Sequence, residues 1–65
     1  EGREKEALEI TLAYTATEEN RNMFKGTEII KQLLRVIPEP DSTLNTLKCL
    51  IQFSQDEFYL KEMCQ

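Results

Sequence analysis

Apolar residues recur at helical intervals in three segments of this chain, with polar stretches and prolines between the segments. The first segment, residues 4–14, begins with strong helix formers. Its apolar stripe has the spacing of one face of an α-helix and consists of Ala7, Leu8, Thr11 and Leu12. Ile10 and Tyr14 lie on another side of the same predicted helix.

The second segment, residues 27–37, follows Gly26 and has a broad apolar face typical of a buried helix. That face consists of Ile29, Ile30, Leu33, Leu34 and Ile37. Pro38 ends the predicted helix, because proline cannot donate the required backbone hydrogen bond, and Pro40 prevents the helix from resuming.

The third segment, residues 42–53, follows Asp41 and Ser42, either of which is a suitable N-cap. Its main apolar stripe, widened by Cys49 and Phe53, consists of Leu44, Leu47, Leu50 and Ile51. A helix that is apolar around so much of its circumference requires neighbours on more than one side. Because no sustained alternation with a period of two occurs, the sequence predicts an all-α fold.

The polar stretch TATEENRNMFKG, residues 15–26, has both a start signal and a stop signal for a short helix. Thr15 and Glu18 have the spacing of a capping box, in which the hydroxyl and the carboxylate bond to free backbone amides. Gly26 can adopt the left-handed conformation that closes a helix. We expect Met23 and Phe24 to turn inward.

A second capping-box pattern, Ser54 to Glu57, lies 39 residues after the first. The same shift superimposes apolar residues on one another: Leu8 on Leu47, Ile10 on Cys49, Leu12 on Ile51 and Tyr14 on Phe53. It places Gly26 on Gln65. A period of about 40 residues built only of helices is typical of an α-solenoid. Two amphipathic helices with ordinary caps can also align in this way by chance.

The run EENRNMFKGTEIIKQLLRVI resembles an armadillo repeat, with a short helix, a glycine turn and an apolar I-x-x-L-L helix before a long third helix. The resemblance makes residues 1–65 a single α-helical segment in which 18–53 form one repeat. Residues 4–14 are then the third helix of a preceding repeat, and 55–65 begin the next. It implies an armadillo-like protein-interaction scaffold, and we expect the chain to be a fragment of a longer protein.

Third helices line the concave surface of this family, so the resemblance implies that a partner protein or peptide binds there. We call this surface the third-helix face, and its residues follow helical spacing: Glu6, Glu9 and Ala13, then Asn45, Lys48 and Gln52. An asparagine often stands near the end of the family's third helix and holds the backbone of an extended peptide. Gln52 retains an amide at that position, whereas Ala13 cannot form the bond, which puts this binding mode in doubt. The alternative is an ordinary solvated face.

Composition narrows the possible functions. The chain has 65 residues, a net charge of −4 and no histidine. Its basic residues are scattered, which argues against a nucleic-acid or anionic-membrane surface. No apolar run approaches the length of a transmembrane helix. Without histidine, a glycine-rich phosphate loop or an activated nucleophile, we expect no catalytic residue, no cofactor and no metal site.

Cys49 and Cys64 are the two cysteines, and they are read as reduced thiols of an intracellular protein, in the cytoplasm or the nucleus. We expect Cys49 to be buried as a small apolar residue. The rival to the solenoid interpretation is a small helical bundle that self-associates through its surplus apolar surface and acts as a dimerisation or adaptor domain.

Overall fold

The computed structural model describes residues 3–64, and the all-α prediction is confirmed for this range. Five helices follow one another: α1 (Arg3–Tyr14), α2 (Glu18–Asn22), α3 (Ile29–Val36), α4 (Thr43–Phe53) and α5 (Glu57–Met63). No strand occurs in the described range. Gln65, on which the 39-residue shift places Gly26, lies outside the described residues.

Helix α4 is the centre of the packing. Helix α1 lies along one side of it, α3 lies along another, and α5 packs against α3. Helices α1 and α4 run in the same direction, because Leu8 meets Cys49 and the next turn at Leu12 meets Gln52. The buried apolar core combines residues from these four helices: Leu8, Ile30, Leu33, Cys49, Phe53 and Tyr59.

A row of aromatic rings connects four segments of the chain. The Phe53 ring lies edge-on to Phe24 at 5.8 Å and to Tyr59 at 4.7 Å between centroids. Tyr14 continues the row, 6.1 Å from Phe24. Edge-to-face pairs of this kind contribute about 0.5–1.5 kcal/mol each beyond area burial. The row therefore fixes the ends of α1 and α4 against the turn after α2 and against α5.

The start of α2 differs from the prediction, because Thr17 and not Thr15 is its N-cap. The Oγ1 atom of Thr17 accepts a hydrogen bond from the Asn20 amide at 3.3 Å. Thr15 still belongs to the last turn of α1, since its amide donates to the Thr11 carbonyl at 2.9 Å. The predicted capping box of Thr15 and Glu18 is therefore wrong.

The second predicted capping box is also wrong. Ser54 donates its hydroxyl hydrogen to the Ile51 carbonyl at 2.6 Å, so it belongs to the end of α4. Asp56 is the N-cap of α5, although its side chain forms no capping hydrogen bond. At the start of α4, Ser42 is the N-cap by position, but its side chain likewise makes no capping bond.

The turn between α2 and α3 contains two residues with positive φ. Gly26 has φ +86°, so its predicted left-handed conformation is confirmed. Its predicted role in closing α2 is wrong, because α2 already ends at Asn22 with Met23 as the C-cap. Glu28 follows with φ 58°, an uncommon conformation for a residue with a side chain. Phe24 packs against the core as expected, whereas Met23 is exposed, so its predicted inward orientation is wrong.

Candidate interaction surface

The third-helix face is formed by one side of α1 and one side of α4, which lie next to each other in parallel. Glu6, Glu9 and Lys48 are exposed there, and Asn45 is half-buried. Ala13 is also exposed. These side chains are accessible from solvent on two neighbouring helices.

Gln52 has a different environment from the one that the sequence suggests. Its Nε2 atom donates to the Leu12 carbonyl at 2.7 Å and to the Thr15 hydroxyl at 2.8 Å. The amide of Gln52 therefore links α4 to the end of α1 and is engaged within the chain. Its contribution to the third-helix face is to hold the two helices in register.

A shallow groove lies along the junction of the two helices. Its walls are Leu12, Lys48, Ile51, Gln52 and Gln55. The groove thus brings Lys48 and Gln52 together, while Glu6, Glu9 and Asn45 lie outside it. Lys48 is the only charged side chain in its wall, so the groove combines an apolar floor with one positive charge.

Helix α4 is apolar on two opposite sides. The buried side consists of Thr46, Cys49 and Phe53, and the other side consists of the exposed residues Leu44, Leu47 and Ile51. Each set has the spacing i, i+3, i+7, and the sets differ by two residues, or about 200° around the helix. We call Leu44, Leu47 and Ile51 the outer stripe. Of the apolar residues predicted for α4, the core takes Cys49 and Phe53, whereas the outer stripe is exposed.

Two further apolar hollows flank α3. One lies between α1 and α3 and has Ala7, Leu8, Ile29, Leu33 and Val36 in its wall. The other lies between α3 and α5 and is lined by Ile30, Leu34 and Met63 with three charged residues at its edge, namely Glu28, Lys31 and Glu62.

A buried ion pair joins α2 to the N-cap of α5. The Nε atom of Arg21 donates to Oδ2 of Asp56 at 2.7 Å, and Nη2 donates to Oδ1 at 3.2 Å. Arg21 also donates from Nη1 to the carbonyls of Thr15 at 3.0 Å and Ala16 at 3.4 Å. The buried hydroxyl of Tyr59 donates to the Arg21 carbonyl. This cluster fixes the α1–α2 turn against the start of α5.

This arrangement favours the protonated, positively charged form of Arg21. Its pKa lies above the usual value, chiefly because of the hydrogen bond with Asp56. No sequence pattern predicted this pair, since α2 has five residues and shows no apolar periodicity. The 39-residue shift does not reveal it either, because it places Arg21 on Leu60.

Burial affects two side chains of the described chain that could otherwise lose a proton, Cys49 and Tyr59. Cys49 is buried and free, as predicted, and burial raises the pKa of its thiol, so the nucleophilic thiolate is disfavoured. Burial also raises the pKa of the Tyr59 hydroxyl. Within residues 3–64, no three cysteine or carboxylate side chains approach closely enough to hold a metal ion.

Comparisons with known proteins found no relative of this chain. No protein-family model, curated protein or solved structure matches the chain. None of the helices in residues 3–64 is both long enough and apolar enough to cross a membrane.

Proposed function

We propose that this chain is a non-catalytic segment of a larger armadillo-like scaffold and holds a partner protein or peptide on the third-helix face. The proposal includes an intracellular location, in the cytoplasm or the nucleus, which the free thiols of Cys49 and Cys64 support. Its residues of contact are Glu6, Glu9, Asn45, Lys48 and Gln52, with Gln52 acting through its position.

The observation that carries the proposal is the two-sided character of α4. A helix with one apolar side against the core and a second apolar side in solvent has the pattern of an internal element in a stack of helices. In the described chain, the outer stripe of α4 has no covering helix.

The positions of the helix ends give further support. A shift of 39 residues carries the end of α1 at Tyr14 onto the end of α4 at Phe53. It also carries Thr17, the N-cap of α2, onto Asp56, the N-cap of α5. The recurrence therefore applies to the observed ends of helices, even though both predicted capping boxes are wrong.

Site-specific photo-crosslinking in cells that express the protein would test this function. A benzoylphenylalanine replacing Lys48 is expected to capture a different protein, whereas one replacing Lys31, on α3, is not. The charge reversal Lys48→Glu should then weaken binding of the captured protein at least several-fold. Equal capture from both positions, or no capture of another protein from position 48, would contradict the proposal.

A second candidate function is a small dimerisation or adaptor domain. The outer stripe favours it, because two copies can cover this apolar surface by packing α4 against α4 about a twofold axis. Such a dimer places Lys48 near its own symmetry mate, since Lys48 flanks the stripe about halfway along its length. Like charges along the edge of the interface oppose this arrangement.

A further inference from the structure

The residues of the buried junction between α1 and α4 have equivalents, 39 residues away in the sequence, that lie on the surface of the same molecule. Within the chain, Leu8 and Leu12 of α1 face Cys49 and Gln52 of α4. The shift of 39 residues that relates the helix ends carries Leu8 and Leu12 onto Leu47 and Ile51. The reverse shift carries Cys49 onto Ile10, Gln52 onto Ala13 and Phe53 onto Tyr14.

All the large apolar residues of this second set are exposed. Leu47 and Ile51 are 43% and 68% exposed on α4, and Ile10 and Tyr14 are 70% and 44% exposed on α1. Exposed apolar residues that gather in patches mark interaction sites. The two patches lie on two different helices, and each corresponds to one half of the junction that the chain already forms internally.

From this correspondence we infer that a second copy of the chain adds end to end, with α4 of one copy packed against α1 of the next. Leu47 and Ile51 of the first copy then cover Ile10 and Ala13 of the second, in the way that Leu8 and Leu12 cover Cys49 and Gln52. The inference rests on the helical-repeat part of the proposed function.

The spacing of the exposed apolar residues and the charges beside them favour a second copy of the chain as the partner of these patches. Ile10 and Tyr14 on α1 have the spacing i, i+4, which is also the spacing of Leu47 and Ile51 in the outer stripe of α4. Lys48 flanks the outer stripe, whereas Glu6 and Glu9 flank the α1 patch. End-to-end addition therefore brings opposite charges to the same side of the contact. The twofold α4–α4 arrangement brings Lys48 near Lys48.

The contact is heterologous, so it leaves one free patch at each end of every assembly. Such contacts form rings or open filaments instead of stopping at a dimer. The new junction also lacks one feature of the internal one, because Ala13 cannot replace the hydrogen bonds of Gln52. We therefore expect association that depends on concentration in the micromolar range or above, with species larger than dimers.

Sedimentation and light scattering over a dilution series test the inference with two blocked variants. Ile51→Asp blocks the α4 patch, and Ile10→Asp blocks the α1 patch. Each variant alone should be monomeric at concentrations at which the unmodified chain assembles, and their equimolar mixture should give a 1:1 dimer. In that dimer, α4 of the Ile10→Asp chain pairs with α1 of the Ile51→Asp chain.

The control variant is Met23→Asp, which alters another exposed apolar residue outside both patches and should assemble normally. Circular dichroism verifies that each variant keeps the helical content of the unmodified chain. If a blocked variant does not fold, the milder pair Ile51→Gln and Ile10→Gln replaces it.

Two results would overturn the inference. An unmodified chain that remains monomeric throughout the series shows that the patches do not pair. An Ile10→Asp variant that still dimerises alone shows that α4 pairs with α4. A monomeric chain that captures another protein from position 48 rejects self-assembly but leaves the scaffold function intact, and assembly without such capture rejects the scaffold function alone.

Discussion

Arg21 and Asp56 are 35 residues apart in the chain and form a two-pronged ion pair, with N–O distances of 2.7 and 3.2 Å. Their side chains are only 6% and 11% exposed. Removal of one partner leaves the other charge buried without compensation, which costs about 3–5 kcal/mol. This loss is comparable with the whole folding free energy of a chain of this size.

We therefore expect Arg21→Met and Asp56→Leu each to unfold the chain largely or completely, whereas the double variant should be more stable than either single variant. Urea denaturation followed by circular dichroism at low concentration measures the effect. Lys61→Met, which removes the exposed pair with Glu57, is the control and should change little. Equal losses from all three single substitutions would contradict the assigned role of the buried pair.

Tyr59→Phe removes only the hydroxyl that donates to the Arg21 carbonyl. Because Tyr59 is buried, we expect a loss of about 1–3 kcal/mol in unfolding free energy. Tyr14→Phe is the matched control, since Tyr14 is exposed and its hydroxyl has no hydrogen-bond partner in the described chain. Denaturation curves showing equal stability for the two variants would exclude the proposed bond.

Thr46 has a fully buried hydroxyl oxygen without a hydrogen-bond partner in residues 3–64. An unpaired buried polar atom costs about 1–3 kcal/mol, and valine has nearly the same shape. Thr46→Val should therefore raise the free energy of unfolding, by up to about 1 kcal/mol. Thr11→Val, which removes a hydroxyl bonded to the Ala7 carbonyl, is the comparison and should not be stabilising. A clear destabilisation by Thr46→Val would refute this explanation.

Two substitutions in the turn before α3 should change the free energy of unfolding in opposite directions. Gly26→Ala should destabilise by about 1 kcal/mol, because φ is +86° and alanine is strained there although its Cβ meets no neighbour. Glu28→Asn should stabilise by a few tenths of a kcal/mol, because asparagine tolerates the left-handed conformation better. Thermal unfolding of both variants shows whether each is more or less stable than the unmodified chain. A stabilising Gly26→Ala would contradict the assigned turn.

Stability should decline at alkaline pH. Burial raises the pKa values of Cys49 and Tyr59 in the folded chain, so their protonated forms are favoured by folding. Their contribution is complete below the pKa values of the unfolded chain, about 8.5 for the thiol and about 10 for the phenol. It is lost as the pH rises through the higher folded values, with a slope of at most about 1.4 kcal/mol per pH unit for each group.

Urea midpoints between pH 7 and 11 measure this decline. Cys49→Ala should remove the part that begins near pH 8.5, whereas Cys64→Ala, at an exposed position, should leave the profile unchanged. A profile that is flat to pH 11, or equally altered by both substitutions, would contradict the linkage.

The sequence by itself determined the helices and most of their ends, because hydrophobic periodicity and prolines act within a few residues. It also identified α4 as a helix that needs more than one neighbour. What it could not determine was which residue caps each short helix. Thr15 and Thr17 carry the same side chain, and only the last turn of α1 decides that Thr15 stays in it.

The tertiary structure decided the long-range pairings. Arg21 finds Asp56 and Gln52 finds the end of α1 only after the helices have packed, and no local pattern encodes those distances. It likewise decided which side of α4 is buried, since both sides are apolar and the choice depends on where α1 and α3 lie. Short-range order follows from local spacing, whereas the buried polar contacts and the exposed stripe follow from the packing of whole helices.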